Sequence, residues 1–184
     1  MKSLKKVLLA ILIVLAIPFI IALFLKNDYA IEREVVINKP KQEVFDYIKF
    51  LKNQDNFSKW ASMDSNMEKS YTGIDGTVGF VSAWASEDDD VGVGEQEIKN
   101  IADGERIDYE LRFIKPFEAT DQAYMSTEII SENETLVKWG FTGRMNYPMN
   151  LMFLFMNFEE MIGDDLQTGL LNLKNILESS SLND

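Results

Sequence analysis

The chain has 184 residues, with 30 acidic against 18 basic side chains and a formal charge of −12. A field of that sign repels phosphate backbones and argues against nucleic acid as a partner. Cysteine and histidine are both absent, which removes disulfides, thiol nucleophiles, Cys-ligated zinc, and the commonest general base and metal ligand. No metal and no cofactor is expected. Any catalysis would fall to carboxylates, Lys, Tyr, Ser or Thr, and no catalytic residue stands out.

Val7 to Leu25 is a run of 19 residues without a charged or strongly polar side chain. As a helix it spans roughly 28 Å, the thickness of a bilayer core. Pro18 inside it is tolerated in membrane helices, where it can introduce a kink. A cleaved signal peptide is the rival reading. Its apolar core is shorter, and Ile20 before Ala22 makes a poor cleavage site. Residues 1–26 are therefore expected to be an uncleaved single-pass anchor, and residues 27–184 one domain. Three of the 18 basic residues (Lys2, Lys5 and Lys6) precede the span, while Lys26 follows it beside Asp28. This bias predicts a cytoplasmic N-terminus and a domain on the non-cytoplasmic side. The rest of the chain then carries 15 basic groups against 30 acidic ones, a formal charge of −15. That charge opposes broad docking onto anionic headgroups.

The β-branched run Ile31–Asn38 predicts a strand. Pro40 is a good first-turn residue, and Val44, Phe45, Tyr47 and Ile48 follow at helical spacing. Asn53–Trp60 predicts a short second helix or turn. From about Met67 the period changes to two, with Val78, Phe80, Ser82 and Trp84 on one face. Glu87–Asp90 reads as a solvated turn, its spacing unlike that of a calcium loop. Strands are predicted over Glu95–Ile101, Ile107–Phe113, Ala123–Ile130 and Leu136–Thr142, for six or seven antiparallel strands in all. In the second of these runs Ile107, Tyr109, Leu111 and Phe113 alternate with Asp108, Glu110 and Arg112. From Pro148 to Glu178, Leu166, Leu170, Leu173 and Leu177 step at helical spacing, predicting a long helix broken or kinked near Gly163. Its apolar start, Met149–Phe158, is expected mainly in the core, with a mobile lid or a bilayer-touching surface as alternatives. Helices packed on one face of an antiparallel sheet make an α+β domain.

Three stretches in this order carry a family resemblance: VINKPKQEVFDYIKFLKNQDNFSKW, ending at Trp60 with Asp64 beyond; ENETLVKWGFTG, with Thr135, Val137 and Trp139; and MIGDDLQTGLLNLK, with Gly163, Gly169, Leu170 and Leu173. Across Ala30 to Leu177 the chain resembles the START-like, or SRPBCC, superfamily, and within it the polyketide cyclase/dehydrase-like lipid-transport proteins. The resemblance implies a helix-grip fold, in which a curved sheet grips the C-terminal helix and leaves a hydrophobic cavity.

Trp84, Tyr109, Phe113, Trp139 and Phe141 fall on the strand faces expected to meet that helix, with Met161 and Leu170 facing them. These seven are the candidate ligand-binding residues, although the same aromatics would also suit a solid core. Glu95, Glu97, Glu110 and Glu128 lie on strands. They are expected on the solvent face, unless one turns inward beside Arg112 or Lys138 and serves as an acid or base. The leading expectation is a membrane-anchored binding protein for a hydrophobic small molecule or lipid. The alternatives are a cyclase- or hydrolase-like enzyme on the same fold, and a protein-interaction module with a filled cavity.

Overall fold

Alternation of apolar and polar residues draws seven segments of the chain after residue 27 into one sheet. The computed structural model describes residues 2–88 and 90–179. Asp89, in the acidic turn, lies outside them. The seven strands are β1 (Asp28–Ile37), β2 (Glu68–Thr72), β3 (Val81–Ala85), β4 (Val93–Ala102), β5 (Arg106–Lys115), β6 (Ala119–Ser131) and β7 (Glu134–Arg144). Every neighbouring pair is antiparallel, in the order β1-β7-β6-β5-β4-β3-β2. The N-terminal helix α1 (Lys2–Ala22) is continuous through Pro18. Its Leu4–Ala22 stretch has a mean hydropathy of 2.6, long and apolar enough to cross a membrane. Helices α2 (Lys41–Ile48) and α3 (Gln54–Phe57) link β1 to β2, and α4 (Phe158–Ser179) closes the fold.

The core lies between the inner sheet face and the helices. Leu166, Leu170, Leu173 and Leu177 form one buried stripe on α4. Each contributes about 1.5–3 kcal/mol of burial. They meet Ile31, Ile37, Tyr109, Met125, Val137 and Trp139 from the strands, and Val44, Phe45 and Ile48 from α2. Trp139 is 4 % exposed, edge-on to Phe57 at 5.6 Å between ring centroids. A Cβ on Gly169 would come within 2.7 Å of its ring, so the glycine lets α4 sit directly on the tryptophan.

Three expectations require correction. The C-terminal helix is not broken at Gly163. A Cβ there would collide with the Arg33 guanidinium, so the glycine accommodates a crossing side chain while the helix runs on. The break lies instead at 155–157, between a 3-10 turn (Met149–Leu154) and α4. The apolar stretch from Met149 is not core either, since Leu154, Phe155 and Met156 are exposed. Finally, Val78 does not share a strand with Trp84: β3 begins at Val81, and Val78 sits exposed in the preceding turn.

Candidate functional site

Antiparallel pairing brings the starts of β1, β6, β4 and β2 and the ends of β7, β5 and β3 to one end of the sheet. Asp28 lies opposite Arg144, Phe113 opposite Ala119, Val93 opposite Lys115 and Ala85 opposite Val93. Because α2 packs against the other end of β6 and β7, helical cover at this end falls to the first turns of α4 and the segment around α3. The layers separate there around an open cavity of about 400 Å³, within the usual size range of small-molecule sites.

The inner strand faces supply Trp84, Phe113, Trp139, Phe141, Ala119 and Ala123, and α4 supplies Phe158, Met161, Ile162 and Leu166. Trp84 and Phe113 meet edge to face at 6.0 Å, and the Trp84 indole N–H donates to the Val91 carbonyl at 3.2 Å. Five of the seven residues singled out from sequence (Trp84, Phe113, Trp139, Phe141 and Met161) therefore share one cavity. Tyr109 and Leu170 do not line it. Both are fully buried in the solid core further along the sheet and helix.

The polar groups of the cavity are ones the sequence left unmarked. Asp121 projects inward from β6 and is 5 % exposed. The Arg144 backbone N–H donates to it at 3.3 Å, and the Tyr29 hydroxyl donates at 3.4 Å. Burial pushes the Asp121 carboxyl above the usual carboxylate range, which these two donors only partly offset. Burial also raises the Tyr29 phenol, with the Asp121 charge adding to it. Both groups therefore give up a proton less readily than they would in water.

A second polar group lies along the wall nearest α3. Lys69 pairs with Asp55 at 2.7 Å, and the Tyr71 hydroxyl donates to the same carboxylate at 2.5 Å. Burial and then that bond push the Tyr71 phenol up to about 12. Gln54 is buried beside them, with its side-chain amide directed at the buried Tyr109 hydroxyl.

The four strand glutamates lie on the opposite face of the sheet. Arg112 donates to Glu95, Glu97 and Glu110 at 2.6, 2.7 and 2.5 Å, and Lys138 pairs with Glu128 at 3.0 Å. The inward carboxylate is Asp121 instead. Its strand reads ATDQAYMSTEIIS, with small or polar residues on both faces, so alternation alone does not say which side chains turn in. Among the described residues no group of three or more potential metal ligands forms.

No family model and no curated protein matches the sequence. Solved structures do match its shape. Norcoclaurine synthase from Thalictrum flavum, solved with dopamine and hydroxybenzaldehyde, aligns with a TM-score of 0.62 at 6% identity, over 83% of this chain and 87% of that one. XoxI from Bacillus cereus aligns at 0.60 and 15% identity, over 83% and 97%. Ara h 8.0201 aligns at 0.55 and 12% identity, over 85% and 99%. The chain shares the helix-grip fold of these structures. At these identities the likeness is one of fold, and a helix-grip fold hosts many chemistries. What this helix-grip domain does has to be argued from its own cavity. That cavity is open, unlike the filled interior expected of a pure interaction module.

Proposed function

We propose that the protein is a membrane-anchored binding protein that holds a hydrophobic small molecule or lipid between its sheet and α4. The observation that carries this reading is the open cavity of about 400 Å³, walled by Trp84, Phe113, Phe141 and Met161. Apolar ligand surface removed from water there is worth about 25 cal/mol per Å², before the entropic costs of binding. Asp121 with Tyr29 at one wall and Gln54 at another suit a ligand with an apolar body and one or two hydrogen-bonding oxygens. In this reading residues 1–26 form the single-pass anchor, 27–184 the binding domain, and the domain lies on the non-cytoplasmic side.

Titrating the full-length protein in detergent with fatty acids, isoprenoids and aromatic polyketide-like compounds tests the binding. Saturable change in Trp84 emission supports it, provided that the change disappears in Trp84→Phe. Unchanged emission with every class argues against it. Digestion of intact spheroplasts tests the topology: protease should remove the domain, and full protection until lysis would reverse the orientation.

One observation favours a second reading. A buried carboxyl with raised proton affinity beside a phenol in an apolar cavity suits general-acid chemistry, as in a cyclase- or hydrolase-like enzyme with Asp121 as acid. Asp121→Asn separates the two. A binding protein keeps its ligand with at most a modest loss, whereas an enzyme keeps its ligand and stops turning it over.

A further inference from the structure

The cavity lies at the end of the sheet that α1 reaches. Only residues 23–27 separate the end of α1 from the start of β1, a tether of at most about 18 Å. The tether is also held in place. The Asn150 side-chain amide donates to the Ala22 carbonyl at 2.7 Å and to the Asn27 side-chain oxygen at 2.9 Å. Lys26 pairs with Glu159 at 2.5 Å. These contacts bring the 3-10 turn and the first turn of α4 against the base of α1.

Large apolar side chains stand exposed on this end. Phe155 is 84 % exposed, with Leu154 and Met156 beside it, and Phe24 is 84 % exposed on the tether. Across the cavity, the turn between β5 and β6 presents Phe117, 66 % exposed. Phe117 and Phe158 both line the cavity, and Phe158 is also packed edge-on to Phe153 of the 3-10 turn at 5.7 Å. The exposed residues therefore flank the mouth on two sides. Exposed apolar residues at the other end of the sheet, such as Ile74 and Ile130, do not line this cavity. Ile130 lies eleven residues along β6 from Ala119, about 36 Å, and Ile74 lies just beyond the far end of β2.

We propose that Phe117, Leu154, Phe155 and Met156 are embedded in the surface of the bilayer that α1 crosses, so that the cavity mouth opens onto lipid. A ligand then passes between membrane and cavity without crossing water, and its chemical class is an amphiphile of that membrane. The proposal rests on reading α1 as a membrane span. If α1 crosses the bilayer, the short tether leaves this end of the sheet at the membrane surface, and the exposed aromatics avoid water by entering it. The attachment is hydrophobic and not electrostatic, because Lys26 and Arg144 at this end are paired with Glu159 and Asp28, and Asp88, Asp90 and Glu118 in the neighbouring turns add negative charge. Embedding therefore takes place in uncharged phosphatidylcholine and persists in high salt.

The chain has no cysteine, so Phe155→Cys, Phe117→Cys, Ile74→Cys and Ile130→Cys each give a single labelling site. With an environment-sensitive NBD label and full-length protein in phosphatidylcholine vesicles, labels at 155 and 117 should shift to the blue and be quenched by doxyl lipid. Labels at 74 and 130 should be quenched by aqueous iodide. Iodide quenching at 155 and 117 equal to that at 74 overturns the proposal. So does embedding at 155 with 117 in water, since the mouth would then face solvent, and so does protein that carbonate strips from the vesicles. Failure here is distinct from failure of the binding reading. Bound lipid with water-exposed labels keeps the binding and overturns the embedding, while embedded labels on a protein that binds no lipid do the reverse.

Discussion

The two ends of the helix–sheet sandwich share strands and share α4, yet one is solid and the other is open. At the far end, Leu170, Leu173 and Leu177 interdigitate with Tyr109, Met125 and Val137 under the cover of α2. At the near end, Phe158, Met161 and Ile162 face Phe113, Ala123 and Phe141 across a cavity. The difference lies in what covers the sheet. Four apolar positions of α2 close the far end, while only the α3 segment and the first turns of α4 roof the near one. Stability and binding are thereby assigned to different halves of the same elements.

Substitutions that keep to one half should separate the two properties. The largest effect is expected from Trp139→Ala, at the boundary, where the ring packs against Phe57 and Gly169. It should cost about 3–5 kcal/mol in denaturant unfolding. Trp139 is therefore a poor choice for probing the ligand, even though it reaches the cavity. Leu170→Ala, wholly in the packed half, should cost about 2–5 kcal/mol and leave the affinity of the remaining folded protein unchanged. In the open half, Phe113 is only partly buried. Phe113→Ala should cost about 1 kcal/mol of stability but weaken ligand binding about tenfold. Equal effects of Leu170→Ala and Phe113→Ala on both measurements would dissolve the distinction.

Much of the packed half was legible in the sequence, because deep burial writes a clean period. The alternation from Ile107 to Phe113 and the leucine steps of α4 both correspond to observed elements. The open half was harder to read. Edge strand β2 reads EKSYT and is almost wholly exposed, so no apolar face marks it. Met149–Phe158 is as apolar as a core segment, and composition alone does not tell an exposed strap from a buried one. Gly163 resembled a helix break because spacing carries no sign of Arg33 crossing over it. Aromatic residues on strand faces pointed to four cavity positions, Trp84, Phe113, Trp139 and Phe141, but the same pattern also marked Tyr109, which sits in the solid half. Only the placement of α2 divides the one set from the other.

Two smaller effects sharpen the comparison. Burial raises the Asp121 carboxyl in the folded state above its ordinary value of 3.8. The stability gained by holding that proton is complete below pH 3.8, and it is lost as pH rises through the raised folded value. Asp121→Asn should remove that loss, flattening the dependence of the unfolding midpoint on pH above 3.8. A profile identical to the wild type would mean that Asp121 ionises as in water. On the outer face, Arg112→Gln breaks three partly exposed ion pairs. It should cost about 1 kcal/mol or less, the loss shrinking in high salt, with no change in binding.

The claim that the open half holds a hydrophobic ligand is tested most directly by native mass spectrometry of the full-length protein released from its own membranes. Ala119 lines the cavity and is not fully buried, so Ala119→Trp should fill the space while leaving the packed half intact. The account predicts a discrete added mass, at one equivalent, on the wild type and its loss from Ala119→Trp at unchanged unfolding midpoint. A wild type that flies free of any added mass, or an adduct that persists equally on folded Ala119→Trp, would contradict it.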